Sequence, residues 1–339
     1  MAPSTPSRLG TAVRTAAGSP LWRTVLALAL LVAGLGGWWL SAGRSPGYPR
    51  GETRFATGVQ RGVYDRYGQL LQAHVAKAMP GVRLALDNTQ GSLDNLSRVG
   101  GGQDAFAIAT ADAVAEYNGT GKGRLRAIAR LYDDYLQLIV PAGSPVHRTA
   151  DLKGLRVGVG LPQSGVNLVT KRLLTAANLD PEHDIKPDPL GVGDAADKLR
   201  EGKLDAFFWS GGLPTSALTD LSEHVRIRVV PLGDLAEAIH KLEGGGTDAY
   251  RAATMPKGTY PNAEPTDAVA TVAVPNLLIT RDDVDPGLVQ GMTQAVIDSR
   301  DQIGSQVHAA QLVDLRTAVY TNPLPLHEGA ARYYRSVKP

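Results

Sequence analysis

The segment TRFATGVQRGVYDRYGQLLQAHVAKAMPG (Thr53–Gly81) decides the class of this fold. Thr53–Thr57 reads as a short strand, Gly58–Gly62 as a glycine-bounded turn, and Tyr64–Met79 as a helix stopped by Pro80-Gly81. Strand, helix and closing turn make the opening unit of an α/β fold. The unit recurs as Val82–Asn88 with a helix from Ser92, and as Ala105–Ala109 with a helix near Ala111–Tyr117, followed by the apolar runs Leu125–Leu131 and Leu136–Val140. A second series comprises Arg156–Gly160, a turn at Leu161–Gly165, helices at Val166–Ala177 and near Gly193–Glu201, and the runs Ala206–Trp209 and Arg226–Val230. After a Gly/Pro-rich stretch (Gly244–Asp267), the strand-like run Val269–Thr280 leads into helical segments beginning near Asp285 and Gln306, and a last one near His327–Val337.

This order predicts two α/β lobes joined by extended crossings at Leu136–Val140 and Val269–Thr280, with the last helices returning to the first lobe. Such a molecule binds ligand in the cleft and closes by rotation about the crossings. Order alone leaves open two tandem domains without a shared cleft. The expected organisation is a basic tail over 1–23, an apolar helix over 24–40, a linker over 41–52, lobe 1 over 53–138 plus 276–339, and lobe 2 over 139–275.

The chain has 339 residues, with 35 Lys plus Arg against 33 Asp plus Glu, 43% apolar residues and no cysteine, which is a globular composition. Every acidic residue follows position 50, whereas Arg8, Arg14, Arg23, Arg44 and Arg50 precede Gly51, so the remainder carries 30 cations against 33 acids. A folded part of that charge is not built for nucleic acid. The missing cysteine excludes disulfides, thiolate metal sites, thiol catalysis and a lipidated N-terminal cysteine. Thr24–Leu40 is uncharged, follows three arginines, and ends on Trp38-Trp39. That pattern predicts a membrane helix with its N-terminus in the cytoplasm and the rest of the chain outside, as a cell-membrane anchor or a cleaved signal.

Three loops share one design, a strand running into glycine and hydroxyl residues at a helix start: Thr57–Tyr64, Thr89–Asn95 and Gly160–Asn167. Glycine lets backbone approach a ligand, and free N–H groups at a helix start attract anions, so a carboxylate or phosphate is the natural guest. Ser92 and Ser164 also suit helix caps, and Gly58 a plain turn. Neither nucleotide fingerprint is met, because Gln163 stands at the third glycine position after Gly158-x-Gly160 and no P-loop occurs. Ser164 and Ser210 lack a nucleophile-elbow context, and the seven histidines show no ligand-like pairing. No catalytic set, metal set or cofactor is expected. In Ala206–Gly212, alternation sends Phe207 and Trp209 to one side of a strand and Phe208 to the other, so at least one aromatic is a cleft candidate. Tyr132 is another, while Tyr333-Tyr334 reads as packing.

The sequence resembles the TAXI family of substrate-binding proteins of TRAP transporters over nearly all of the part after the apolar helix. The residues that carry this are Ala56-Thr57-Gly58 with Gly62 and Tyr64, Gly91-Ser92 with Asn95, Ala109–Ala113, Leu136–Val140, Ala150–Val157, Gly158–Gly165, Asp205–Gly212, and Pro325–Ala330 with Tyr333-Tyr334. The resemblance implies a two-lobed type 2 periplasmic-binding (Venus-flytrap) α/β fold and no enzymatic activity. It also implies capture of a small anionic or zwitterionic ligand, glutamate-like or dicarboxylate-like, for a TRAP-type ion-coupled permease, by a monomer. Carried across by motif, it implies ligand contacts from Gly58, Val59, Arg61, Gly62, Tyr64, Ser92, Asn95, Thr110, Asp112, Gln163, Ser164, Gly165, Trp209, Ser210 and Gly211. Val59, Gln60 and Arg61 depart from the glycine-rich first loop of many members; Arg61 either adds a bidentate carboxylate contact or points to solvent. The same clamshell would also serve a membrane-anchored sensor that signals to a partner.

Overall fold

The computed structural model describes residues 24–33 and 47–337. Residues 24–33 form an exposed helix, α1. The rest of the expected membrane helix, 34–40, lies outside the described residues, as do the basic tail and most of the linker. No helix among the described residues is long and apolar enough to cross a membrane.

The chain then alternates as read: β1 (Gly51–Ala56), α2 (Val63–Ala78), β2 (Val82–Asp87), α3 (Ser92–Gly100), β3 (Phe106–Thr110), α4 (Ala111–Glu116) and β4 (Leu125–Pro141). The second series is β5 (Arg156–Gly158), α5 (Gly165–Ala176), β6 (Lys186–Asp188), α6 (Val192–Arg200), β7 (Ala206–Gly211), α7 (Ser216–His224) and β8 (Ile227–Val230). It continues with α8 (Ala236–His240), β9 (Arg251–Met255), β10 (Ala263–Glu264), β11 (Val269–Arg281), α9 (Pro286–Asp298), α10 (Arg300–Gly304) and α11 (Glu328–Val337). The helices form where the sequence supplies stripes and caps. Val63, Tyr67, Leu70, Leu71 and Val75 make one buried face of α2, a 3.6-residue stripe. The Asp285 side chain caps α9 by accepting from the Leu288 N–H at 2.9 Å, with Pro286 at the first helical position.

The strand order is β2-β1-β3-β11-β4-β7-β5-β6. β1 runs parallel to β2 and β3, and β5 parallel to β6 and β7. The two parallel sets are joined through β4 and β11, which pair antiparallel with each other. Each of these long strands changes partners along its length. β11 pairs with β9 over Val269–Ala273 and with β3 over Asn276–Ile279; β4 pairs with β7 and β8 from Tyr135 onward. Thr110, the last residue of β3, faces Asn276, and Gly211, the last of β7, faces Tyr135. The C-terminal ends of both parallel sets therefore converge on the middle of β4 and β11, where open α/β sheets bind ligands.

Alternation along the strands sorts side chains into separate cores. Phe106 and Ile108 pack with Phe55, Tyr67, Tyr333 and Tyr334 on one face, while Ala107 and Ala109 pack with Leu96 and Val99 on the other. Phe207 and Trp209 share one core and Phe208 another, as a two-residue period requires. Each large side chain buried in this way contributes about 1.5–3 kcal/mol.

Two expectations need correction. Leu125–Leu131 and Leu136–Val140 are one continuous strand, because the two acids that separate them are both satisfied within the sheet. Asp133 pairs with Arg130 at 2.7 Å and with Arg251, and Asp134 accepts hydrogen bonds from Asn276 and Ser210. The Gly/Pro-rich stretch 244–267 holds β9 and β10, whose registers against β11 and β8 no local pattern announces.

Candidate functional site

One cavity lies at the convergence, enclosing about 520 Å³ counted out to its open mouth. Its walls come from Gly58, Val59 and Gly62 with Val63 and Tyr64, from Gln90–Ser92, from Gly160, Leu161 and Ser164–Val166, from Leu190-Gly191 and from Trp209–Gly211, and Thr110 and Asp134 form part of its floor. The N-cap residues of five helices are among them: Gly62 of α2, Gly91 of α3, Thr110 of α4, Ser164 of α5 and Gly191 of α6. Each helix start adds partial positive charge, so the cavity favours a negative group without any cationic side chain, although at α3 the Leu93 and Asp94 N–H groups are taken by the Gln163 carbonyl. Asp134 is the one charged residue among the described residues that line it.

The loops before α3 and α5 meet closely. Gly91 has φ +125°, a conformation that disfavours any side chain, and a Cβ built there would lie 3.3 Å from Ser164 Cα. A Cβ on Gly165 would lie 3.0 Å from Ser92 Oγ and 3.1 Å from Thr110 Oγ1. The starts of α3 and α5 thus face each other so closely that a methyl group on either glycine would push its neighbours apart by a few tenths of an ångström. Ser164 caps α5 by accepting from the Asn167 N–H at 3.0 Å, so its cap and cleft roles coincide. At the mouth, a Cβ on Gly191 would lie 3.7 Å from Val59 Cβ.

The floor is a polar row across four neighbouring strands: Thr110 on β3, Asn276 on β11, Asp134 on β4 and Ser210 on β7, all buried. Asn276 Nδ2 donates to Asp134 Oδ1 at 2.6 Å, and Ser210 Oγ donates to Oδ2 at 3.4 Å. The Tyr64 hydroxyl donates to Asn276 Oδ1 and lies 3.4 Å from Ser92 Oγ. Burial, reinforced by the charge of Asp112 and opposed by the bonds from Asn276 and Ser210, pushes the Asp134 carboxyl up to about 7. Burial likewise holds the Tyr64 and Tyr132 hydroxyls well above their ordinary range.

Of the residues nominated from sequence, Gly58, Val59, Gly62, Tyr64, Ser92, Thr110, Ser164, Gly165, Trp209, Ser210 and Gly211 line this cavity. The other five stand elsewhere. Arg61 spans the mouth to Asp220 at 3.1 Å and Asp197 at 3.6 Å. Gln163 ties the loops together, its carbonyl accepting from the Leu93 and Asp94 N–H groups at 3.1 Å. Asn95 is a buried strut: its amide donates to the Thr57 and Ile108 carbonyls, both at 2.7 Å, and its oxygen accepts from Thr89 Oγ1 at 2.6 Å. Asp112 accepts from Tyr250 and from Arg172 at 3.4 Å, while Arg172 also reaches Glu116 at 3.2 Å. Tyr132 packs on Tyr67 at 5.8 Å between ring centroids, inside the core. Sequence reasoning missed Asp134, Asn276 and Leu190. No cluster of three His, Cys, Asp or Glu side chains is placed to hold a metal ion among the described residues.

Among solved structures, one described as a periplasmic transporter matches with a TM-score of 0.53 at 14% identity, covering 85% of this chain and 93% of that one. A putative L-cystine ABC transporter from Listeria monocytogenes matches with a TM-score of 0.47 at 15% identity, covering 78% of this chain and 98% of that one. The first likeness is one of fold, and the architecture is the α/β fold of periplasmic-binding proteins. A family model described as NMT1-like family matches residues 55–337. That span runs from the end of β1 through every later strand and the cavity, and the chain belongs to the NMT1-like family.

Proposed function

We propose that this chain is an extracytoplasmic solute-binding protein, not an enzyme, that holds a small carboxylate-bearing solute in the cavity and delivers it to a membrane permease. The observation that carries this is the convergence of five helix N-caps on one cavity free of cationic side chains among its described lining residues. Backbone N–H groups so placed bind an anionic group reversibly. Lobes over 53–138 plus 276–339 and over 139–275 are supported by the partner changes of β4 and β11. An ion-coupled TRAP-type permease as recipient is supported by the motif resemblance, and residues 24–40 as anchor or signal by their arginine flank.

The test is unfolding of the purified protein against amino acids, monocarboxylates, dicarboxylates and 2-oxo acids. A solute bound only by the folded state at a hundred times its dissociation constant adds about 2.7 kcal/mol, a clear rise in midpoint. No rise with any carboxylate overturns the reading. Loss of uptake of that solute on deletion of the gene, with the permease genes intact, tests delivery.

A further inference from the structure

We propose that the Asp134 carboxylate is an ammonium subsite, and that the cavity takes a zwitterionic amino acid with an uncharged side chain. This rests on the solute-capture reading and narrows its substrate class. The polar row supplies both ends of such a guest. At one end, Ser92 and Thr110 lie beside the opposed starts of α3 and α5; the Leu93 and Asp94 N–H groups go to the Gln163 carbonyl and the Asn167 N–H to Ser164 Oγ, which leaves the Ser92, Gly165 and Val166 N–H groups of these first turns to receive a carboxylate. At the other, Asp134 is 2% exposed, lines the cavity, and offers two acceptor oxygens. Neighbouring strands are about 4.8 Å apart, so β3 and β4, separated by β11, stand about 10 Å apart. An α-amino acid, with its two charged groups on one carbon, bridges that interval with one hydrogen bond at each end.

The rest of the lining decides the side chain. Val59, Val63, Leu161, Val166, Leu190 and Trp209 supply apolar surface around this strip. A second carboxylate on the solute would meet no cationic side chain among the described lining residues, and the buried Asp134 would repel it. A simple carboxylic acid would leave Asp134 buried without a cation. An ammonium gives this buried carboxylate a charge-assisted hydrogen bond. Dicarboxylate-like and glutamate-like solutes are therefore disfavoured.

The groups facing Asp134 are the Tyr64 hydroxyl from α2, Tyr132 from its own strand, Asp112 from α4, and the non-titrating Asn276 and Ser210. Because the carboxyl is held at about 7, ammonium binding strengthens as pH rises through neutrality and then levels.

The experiment measures affinity of the full-length protein for matched pairs: L-leucine and 4-methylpentanoate, L-valine and 3-methylbutanoate, L-glutamine and its deaminated acid, and L-glutamate and glutarate. At least one uncharged amino acid is expected to bind tenfold or more tighter than its deaminated partner, with affinity rising from pH 5.5 to pH 8. Asp134→Asn keeps the side-chain shape, and is expected to abolish both the tenfold preference and the pH dependence. Should Asp134→Asn fail to fold, the pairs and the pH series on the unaltered protein still decide. Deaminated acids that bind as tightly as amino acids, or binding confined to L-glutamate and glutarate, overturn this inference and leave solute capture standing. An unchanged preference in Asp134→Asn does the same. Absence of binding by every compound overturns both.

Discussion

Replacing Arg172 with methionine is expected to destabilise the protein by about 3–5 kcal/mol, the usual cost of leaving a buried charge without its partner. Arg172 is 9% exposed and Asp112 1% exposed. The guanidinium donates to Asp112, to Glu116, to the Tyr250 hydroxyl at 3.0 Å and to the Gly245 carbonyl, joining α5 and the segment before β9 to α4. Methionine preserves most of the packing volume, so the loss reports on the charge. Arg124→Met is the control. That arginine pairs with Asp282 and Asp283 while half exposed, where solvent screens the pair and its loss costs little. Denaturant midpoints measured at constant slope distinguish the two, and equal losses would mean that the Arg172 cluster is no more than a surface ion pair.

Asn95→Leu is expected to cost about 2–6 kcal/mol, since it strands the Thr57 and Ile108 carbonyls at about 1–3 kcal/mol each. Ser92→Ala removes the hydrogen bond from the Thr110 N–H at 3.1 Å and the longer contacts with the Thr110 and Tyr64 hydroxyls at 3.4 Å, and is expected to cost about 1 kcal/mol while weakening solute binding. Binding isotherms and unfolding curves on both variants separate these roles. If Asn95→Leu kept full stability and lost only affinity, the strut assignment would fail.

The pair Ser92 and Asn95 marks the limit of what the sequence discloses. Both belong to one glycine-led helix start, and from the sequence they read as equivalent ligand contacts. Three residues advance α3 by about 4.5 Å, which carries Asn95 from the cavity down to the carbonyls of the segments on either side of it. Local patterns located the turns because glycines, caps and breakers act on adjacent residues. Alternation likewise separated Phe207 and Trp209 from Phe208. Asp134 was hidden for the opposite reason: in Tyr132–Tyr135 it reads as an interruption between apolar runs, and its partners Ser210 and Asn276 are 76 and 142 positions away. Only the register of β4 against β7 and β11 makes it the floor of a cavity.

The approach of Gly191 to Val59 has a use beyond packing. Their 3.7 Å separation at Cβ falls within the roughly 3.5–4.5 Å that a disulfide spans. A chain with no cysteine is a silent background for such a bond. Val59→Cys with Gly191→Cys would lay a covalent bar across the mouth. Solute release from the preloaded, oxidised protein would then wait for a reductant, turning residence time into a quantity set by the redox potential of the medium.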